Sequence, residues 1–205
     1  MHHVIVRVWL PDRPGALGQV ASRIGAVRGD VIGLEILERG GGRAIDELVV
    51  DLHSGSHVAL LIDEINHVDG VSVEHVRPID GERTEPGLSA LSLTASVAEA
   101  SPPERLQCLV GGLVRCAEVD WAVACRDGTV LASAGDPPAA EWILAYVDGS
   151  GHLTDLPHVN GGDVLLARMV TSSTTVAAGR SDRPVHESEH IRMTLVVRIA
   201  DALIE

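Results

Sequence analysis

A chain of 205 residues has room for one large domain or two small ones. Apolar residues make up 45% of it, yet there is no Phe and a single Tyr, so aliphatic side chains must fill whatever core it has. A formal net charge of −13 repels phosphate backbones and anionic lipid surfaces, and few rings are present to stack on bases; nucleic acid and membrane are both disfavoured as partners.

Cys108, Cys116 and Cys125 are an odd number without CxxC spacing. They read as reduced, buried residues rather than a disulfide framework. The opening MHHVIVRVW lacks the basic segment and long apolar run of a signal peptide. No uncharged apolar segment reaches the roughly 18 to 20 residues of a membrane span. The expectation is a soluble, cytoplasmic protein.

In chain order, His3 to Leu10 is rich in β-branched residues and reads as a strand with Val4, Val6 and Val8 on one face. From Pro14 to Val27 the apolar positions Leu17, Val20, Ala21 and Ile24 follow helical spacing. A strand from Val31 to Leu37 puts Ile32, Leu34 and Ile36 on one side. Gly40-Gly41-Gly42 reverses the chain into a strand from Ala44 to Leu52, carrying Leu48, Val50 and Leu52. Helical spacing returns at Val58, Leu61, Ile62 and Ile65, and Val71 to Val76 is a fourth strand. The order β-α-β-β-α-β predicts a four-stranded sheet with both helices on one face. The other face mixes Ile5, Trp9, Val31, Leu37, Ile45 and Val49 with Arg7, Glu35, Glu47 and Asp51.

The charged stretch 79–87 carries Pro and Gly and reads as a linker. Beyond it, Leu88 to Ala98 fits a strand or a helix; its alanines and the clear helix that follows favour helix, with Leu88, Leu91, Ala95 and Ala98 on one face. After Ser101-Pro102-Pro103 a helix carries Leu106, Leu109, Val110, Leu113, Val114 and Ala117. Arg126-Asp127-Gly128 marks a hairpin between strands 121–125 and 129–134. A short helix holds Trp142, Ile143, Tyr146 and Val147, and 148–163 is polar loop. Strands at 164–169 and 174–178 precede a closing helix, 185–204, expected to turn Ile191, Leu195, Val196, Ile199 and Leu203 inward. The second half is thus an α+β domain of its own.

The turn Pro11-Asp12-Arg13-Pro14-Gly15 carries the most chemistry. The residue before a proline is held extended, and Pro14 suits the first helical position. Gly15 and Ala16 then present N–H groups that no upstream carbonyl reaches, where the helix dipole favours an anion. Gly15 has no side chain to obstruct a ligand. Asp12 lies one place before the usual cap position and could accept from an ammonium group. Donors beside a carboxylate match an amino-acid zwitterion; alternatively, Asp12 folds over and satisfies the N–H groups itself.

The stretch VIVRVWLPDRPGALGQVASRIGAVRGDVIGLEIL, with its D-R-P-G-A-L turn and G-D-V-I before the second strand, resembles an ACT domain over residues 1–78. The resemblance implies a ferredoxin-like fold, side-by-side pairing into a homodimer, and an amino acid held at the dimer interface. It points to Asp12, Arg13, Pro14, Gly15, Ala16 and Leu17, faced by Asp30, Val31 and Ile32, often of the neighbouring subunit. Many relatives carry Asn in place of Asp30. An acid there repels a ligand carboxylate and bears on the ligand's orientation or identity. Residues 88–205 more loosely resemble a short GAF domain, through VDWAVACRDGTVLASAG and VAAGRSDRPVHESEHIRMTLVVRIADALI.

Other motifs have plainer readings. His186 and His190 are spaced i, i+4 as in some metal sites but show no third ligand; His53 and His57 are similar. Gly111-Gly112 inside a helix costs roughly 1 kcal/mol per glycine, which close helix contact explains better than phosphate binding. No nucleophile, phosphate-loop or dinucleotide motif is present, and neither metal nor cofactor is expected. The sequence therefore reads as a non-catalytic, amino-acid-binding regulatory protein. The alternatives are a regulatory subunit that docks on a metabolic, amino-acid biosynthetic enzyme, or a dimerisation module without ligand.

Overall fold

Alternation of Val4, Val6, Val8 and Leu10 commits His2–Pro11 (β1) to a sheet with one largely apolar face. Around it the chain adds Ala16–Ala26 (α1), Asp30–Gly40 (β2), Arg43–Leu52 (β3), Val58–Asn66 (α2) and Ser72–Pro78 (β4). The structure, a computed structural model, describes residues 2–79, 84–150 and 164–204. Its contacts divide the chain into two units, Met1–Arg83 and Thr84–Glu205.

In the first unit the strands lie in the order β2-β3-β1-β4, each antiparallel to its neighbours. This is the ferredoxin-like βαββαβ fold. Val20 and Ile24 of α1 and Leu61 and Ile65 of α2 are buried on the same face as Val4, Val6 and Val8, so both helices cover one side of the sheet. Gly41 and Gly42, at φ +58 and +76, make the two-residue reversal between β2 and β3 that only left-handed residues allow. Val31 departs from the sequence reading. It pairs with Val50, while Gly33 pairs with Val49, and this irregularity turns Val31 to the helix-covered face. On the opposite face Arg7 and Glu47 are directly paired, hydrogen-bonded and each 1% exposed.

The second unit consists of Pro86–Glu99 (α3), Arg105–Cys116 (α4), Trp121–Arg126 (β5), Thr129–Gly135 (β6), Ala140–Gly149 (α5), Val164–Met169 (β7), Thr174–Gly179 (β8) and Glu187–Asp201 (α6). Its antiparallel sheet runs β6-β5-β8-β7, making this unit α+β as well. Part of the stretch read as a linker, 80–83, lies outside the described residues, as does 151–163 of the polar loop. Pro86 opens α3, and the Glu85 carboxylate accepts from the N–H groups of Gly87 and Leu88. Asp127 and Gly128, both at positive φ, close the β5–β6 hairpin.

Two helices are rotated relative to expectation. On α3, Leu88 and Leu91 are exposed while Leu93 and Val97 enter the core. The reason lies on α4: a Cβ at Gly112 would collide with the Leu93 side chain, so that glycine makes the slot Leu93 fills. On α6, Ile191, Leu195 and Ile199 are exposed, and Met193, Val196, Val197 and Ala200 are buried. Two carboxylates set this rotation. Glu189 is drawn inward by Arg180 at 2.8 Å, and Asp201 accepts from the N–H groups of Thr171 and Ser172. A count of apolar spacing assigns such acids to solvent.

Candidate functional site

The β1–α1 turn is built from backbone hydrogen bonds. The Asp12 N–H donates to the Gly42 carbonyl at 2.9 Å, that of Arg13 to Pro11 at 2.8 Å, and that of Ala16 to Arg13 at 3.2 Å. The helix begins two residues later than Pro14, the expected first position, because Ala16 bonds back to Arg13 and Gly15 takes φ +87. A side-chain-bearing residue is strained at that angle. Nothing lies within 4 Å of where a Cβ on Gly15 would stand, so the approach to the turn is open.

No side chain caps α1. Asp12 does not fold over the helix terminus; it is exposed, with Oδ1 4.0 Å from Nε of Arg39. An ion pair this long and this exposed contributes ~0–1 kcal/mol. Among the described residues, the N–H groups of Leu17 and Gly18 have no acceptor. Arg13 is exposed and donates to Oε1 of Gln19 at 3.2 Å; Pro14 is exposed, Ala16 buried, and Leu17 half-buried against the core. The turn thus offers free donors at the positive end of a helix dipole beside a carboxylate and a guanidinium.

Asp30, Val31 and Ile32 lie elsewhere in the chain. Asp30 pairs with Asp51, whereas Pro11, where the turn starts, pairs with Arg43 at the other end of β3. Eight residues of strand separate the two ends, on the order of 25–30 Å. One copy of the chain does not bring the two groups together.

Two residues that the sequence reading missed adjoin the turn. One is Arg39. The other is Asp46 of β3, which pairs with Val8 on one side and Ile36 on the other. It continues the alternation of Leu48, Val50 and Leu52, and the signal that could have found it is a lone acid on an otherwise apolar strand face. Asp46 is 4% exposed, and its Oδ1 has no hydrogen-bond partner among the described residues. Burial pushes its carboxyl above the ordinary range, the Arg39 guanidinium opposes that, and the Asp12 carboxylate adds to it. Between the ordinary carboxyl value and the raised one, the folded state therefore binds more proton than the unfolded state. Stability of the unit falls as pH rises from the ordinary carboxylate value through the raised one.

The remaining candidates do not gather into a site. Burial raises the thiols of Cys116 and Cys125, away from the thiolate a nucleophile needs. His186 precedes α6 and its N–H donates to Glu189 at 3.0 Å. Among the described residues no group of three His, Cys, Asp or Glu could hold a metal ion, and no helix is long and apolar enough to cross a membrane.

No family model matches the chain, and no curated protein does. Among solved structures it is similar to the ACT domain of the GTP pyrophosphokinase of Chlorobium tepidum, with 16% identity, 38% of this chain and 100% of that one covered, and a TM-score of 0.31. The regulatory subunit of aspartate kinase from Thermus thermophilus shows 12% identity over 100% of this chain and 93% of that one, with a TM-score of 0.31. A formyltetrahydrofolate deformylase from Pseudomonas putida shows 11% identity over 97% and 93%, with a TM-score of 0.35. Likenesses this distant carry no argument about activity, and the fold assignment rests on the strand order and pairings above.

Proposed function

We propose that the chain is a non-catalytic regulatory protein that binds an amino acid at the β1–α1 turn of its first unit and works as a homodimer, with the second unit, read from its sequence as GAF-like, as second sensor or output. The observation that carries this reading is the uncapped start of α1. Gly15 is open, the N–H groups of Leu17 and Gly18 lack acceptors, and the nearby Asp12 carboxylate is held only by its long contact to Arg39. A ligand carboxylate suits the donors and a ligand ammonium suits Asp12.

The placement of Asp30 supports the homodimer reading. β2 is an edge strand, and its Ile32, Leu34 and Ile36 are exposed. An unpaired edge with apolar side chains invites another strand. Antiparallel pairing of β2 with β2 of a second copy, centred near Glu35, would set Asp30 of that copy opposite Gly40 and beside Arg39. Arg39 is the residue 4.0 Å from Asp12. The pairing would complete the site with opposite charge, and the acid at position 30 would then face a guanidinium rather than the ligand carboxylate.

A thermal-shift screen over the standard amino acids tests the reading. At ~100 times its dissociation constant a ligand adds about 2.7 kcal/mol, and the first unit, Met1–Arg83, should then melt roughly 10 to 20 °C higher. No shift with any amino acid contradicts the proposal.

A further inference from the structure

The proposed site leaves one group unexplained. Asp46 lies on the helix-covered face of the sheet, in line with Ala44 and Leu48, where every other side chain of the strand is apolar. Its cross-strand neighbours, Val8 and Ile36, offer it no hydrogen bond. The charged groups that reach it are Arg39 from β2 and Asp12 from the turn. A buried carboxylate without a partner is costly, and Val or Leu would fill this position better.

Resting on the amino-acid reading above, we infer that Asp46 is the inner wall of a cation subsite under the β1–α1 turn, with Asp12 at its mouth, and that this subsite takes the primary ammonium group of the ligand. An ammonium supplies a positive charge and three N–H donors, enough to satisfy both carboxylates at once. The ligand carboxylate then turns towards the free N–H groups of Leu17 and Gly18, which fixes its orientation. A divalent metal fits less well, because it wants six or more oxygens and only the Asp12 and Asp46 carboxylates are offered. The ligand class is narrowed accordingly: a free α-ammonium is required, and N-acylated or α-keto analogues are refused.

Binding also carries a proton signature. Burial shifts Asp46 towards its neutral form and an ammonium shifts it back towards the ionised form, so binding at a pH between the ordinary carboxyl value and the raised one should release protons. The test is calorimetric titration of the full chain and of Asp46→Asn with the standard amino acids one at a time, in two buffers of different ionisation enthalpy, and with the N-acetyl form of each that binds. The expected result is binding of the free form alone, with proton release. Asp46→Asn should weaken that binding roughly tenfold to hundredfold and abolish the release, while melting no lower than the wild type. Unchanged affinity and unchanged proton release in the variant would overturn the subsite and leave the Asp12–Leu17 reading standing. Binding of the N-acetyl form would also overturn it, and if the variant does not fold, wild-type binding without proton release decides against it. Failure of every amino acid to bind the wild type would remove both readings.

Discussion

Arg180→Met is expected to lower the stability of the second unit by about 3–5 kcal/mol, the cost of breaking a buried charge pair from one side. The Arg180 guanidinium is buried. It donates to the carbonyls of Arg183, Ala117 and Pro184 and to Glu189 Oε2 at 2.8 Å. One side chain thereby ties the end of α4 and the segment after β8 to the first turn of α6. Methionine fills much of the volume but leaves those carbonyls, and a carboxylate, without the cation they surround. A second change, Glu189→Met, should recover a good part of the loss, because replacing both members of a buried pair with apolar groups is often close to neutral. Urea unfolding followed through Trp121 and Trp142 reads both variants. A loss below about 1 kcal/mol for Arg180→Met would mean that water replaces the guanidinium, and that α6 is held by its apolar face alone.

The second large effect is expected on association. Leu34 lies near the centre of the β2 edge and is 48% exposed, so Leu34→Glu should barely disturb the isolated fold. In an antiparallel β2–β2 pair the two new carboxylates would come close to the symmetry axis, where like charges cost several kcal/mol. Each 1.4 kcal/mol is tenfold, so the dimer dissociation constant should rise about a hundredfold or more. Sedimentation velocity should then show a monomer at concentrations where the wild type is dimeric. Loss of amino-acid binding in the same variant would connect the interface to the site. An unchanged dimer would place the association elsewhere, and the exposed Ile191-Leu195-Ile199 stripe of α6 would be the next surface to test.

The parts of this fold that were legible in the sequence are those where one periodicity dominates. Val4-Val6-Val8 with Leu48-Val50-Leu52 marked an apolar sheet face, the helical spacing of Val20 and Ile24 marked what covers it, and Asp127-Gly128 marked a hairpin. What escaped has a common cause. The rotations of α3 and α6 are decided by single contacts: the slot over Gly112, and the inward acids Glu189 and Asp201. Apolar counting misplaces such acids because it treats a carboxylate as solvent-seeking whatever its partners. The same habit passed over Asp46. The turn between β1 and α1 was legible as a turn, since Pro-Asp-Arg-Pro-Gly separates a strand pattern from a helix pattern. The register that separates Asp30 from Asp12 depends on strand order, which no local pattern encodes.

The turn Asp12–Gly15 is the proposed seat of the amino acid. The most direct measurement is calorimetric titration of Asp12→Asn and Gly15→Val with the amino acid that gives the largest thermal shift on the wild type, alongside melting curves of both variants. Asp12 caps nothing in α1, so Asp12→Asn should leave the fold nearly as stable while removing most of the binding. At φ +87 a branched side chain at position 15 is strained and would occupy the open approach to the turn, so Gly15→Val should lose binding along with some stability. Wild-type affinity in both folded variants would show that the ligand binds elsewhere and would contradict the account.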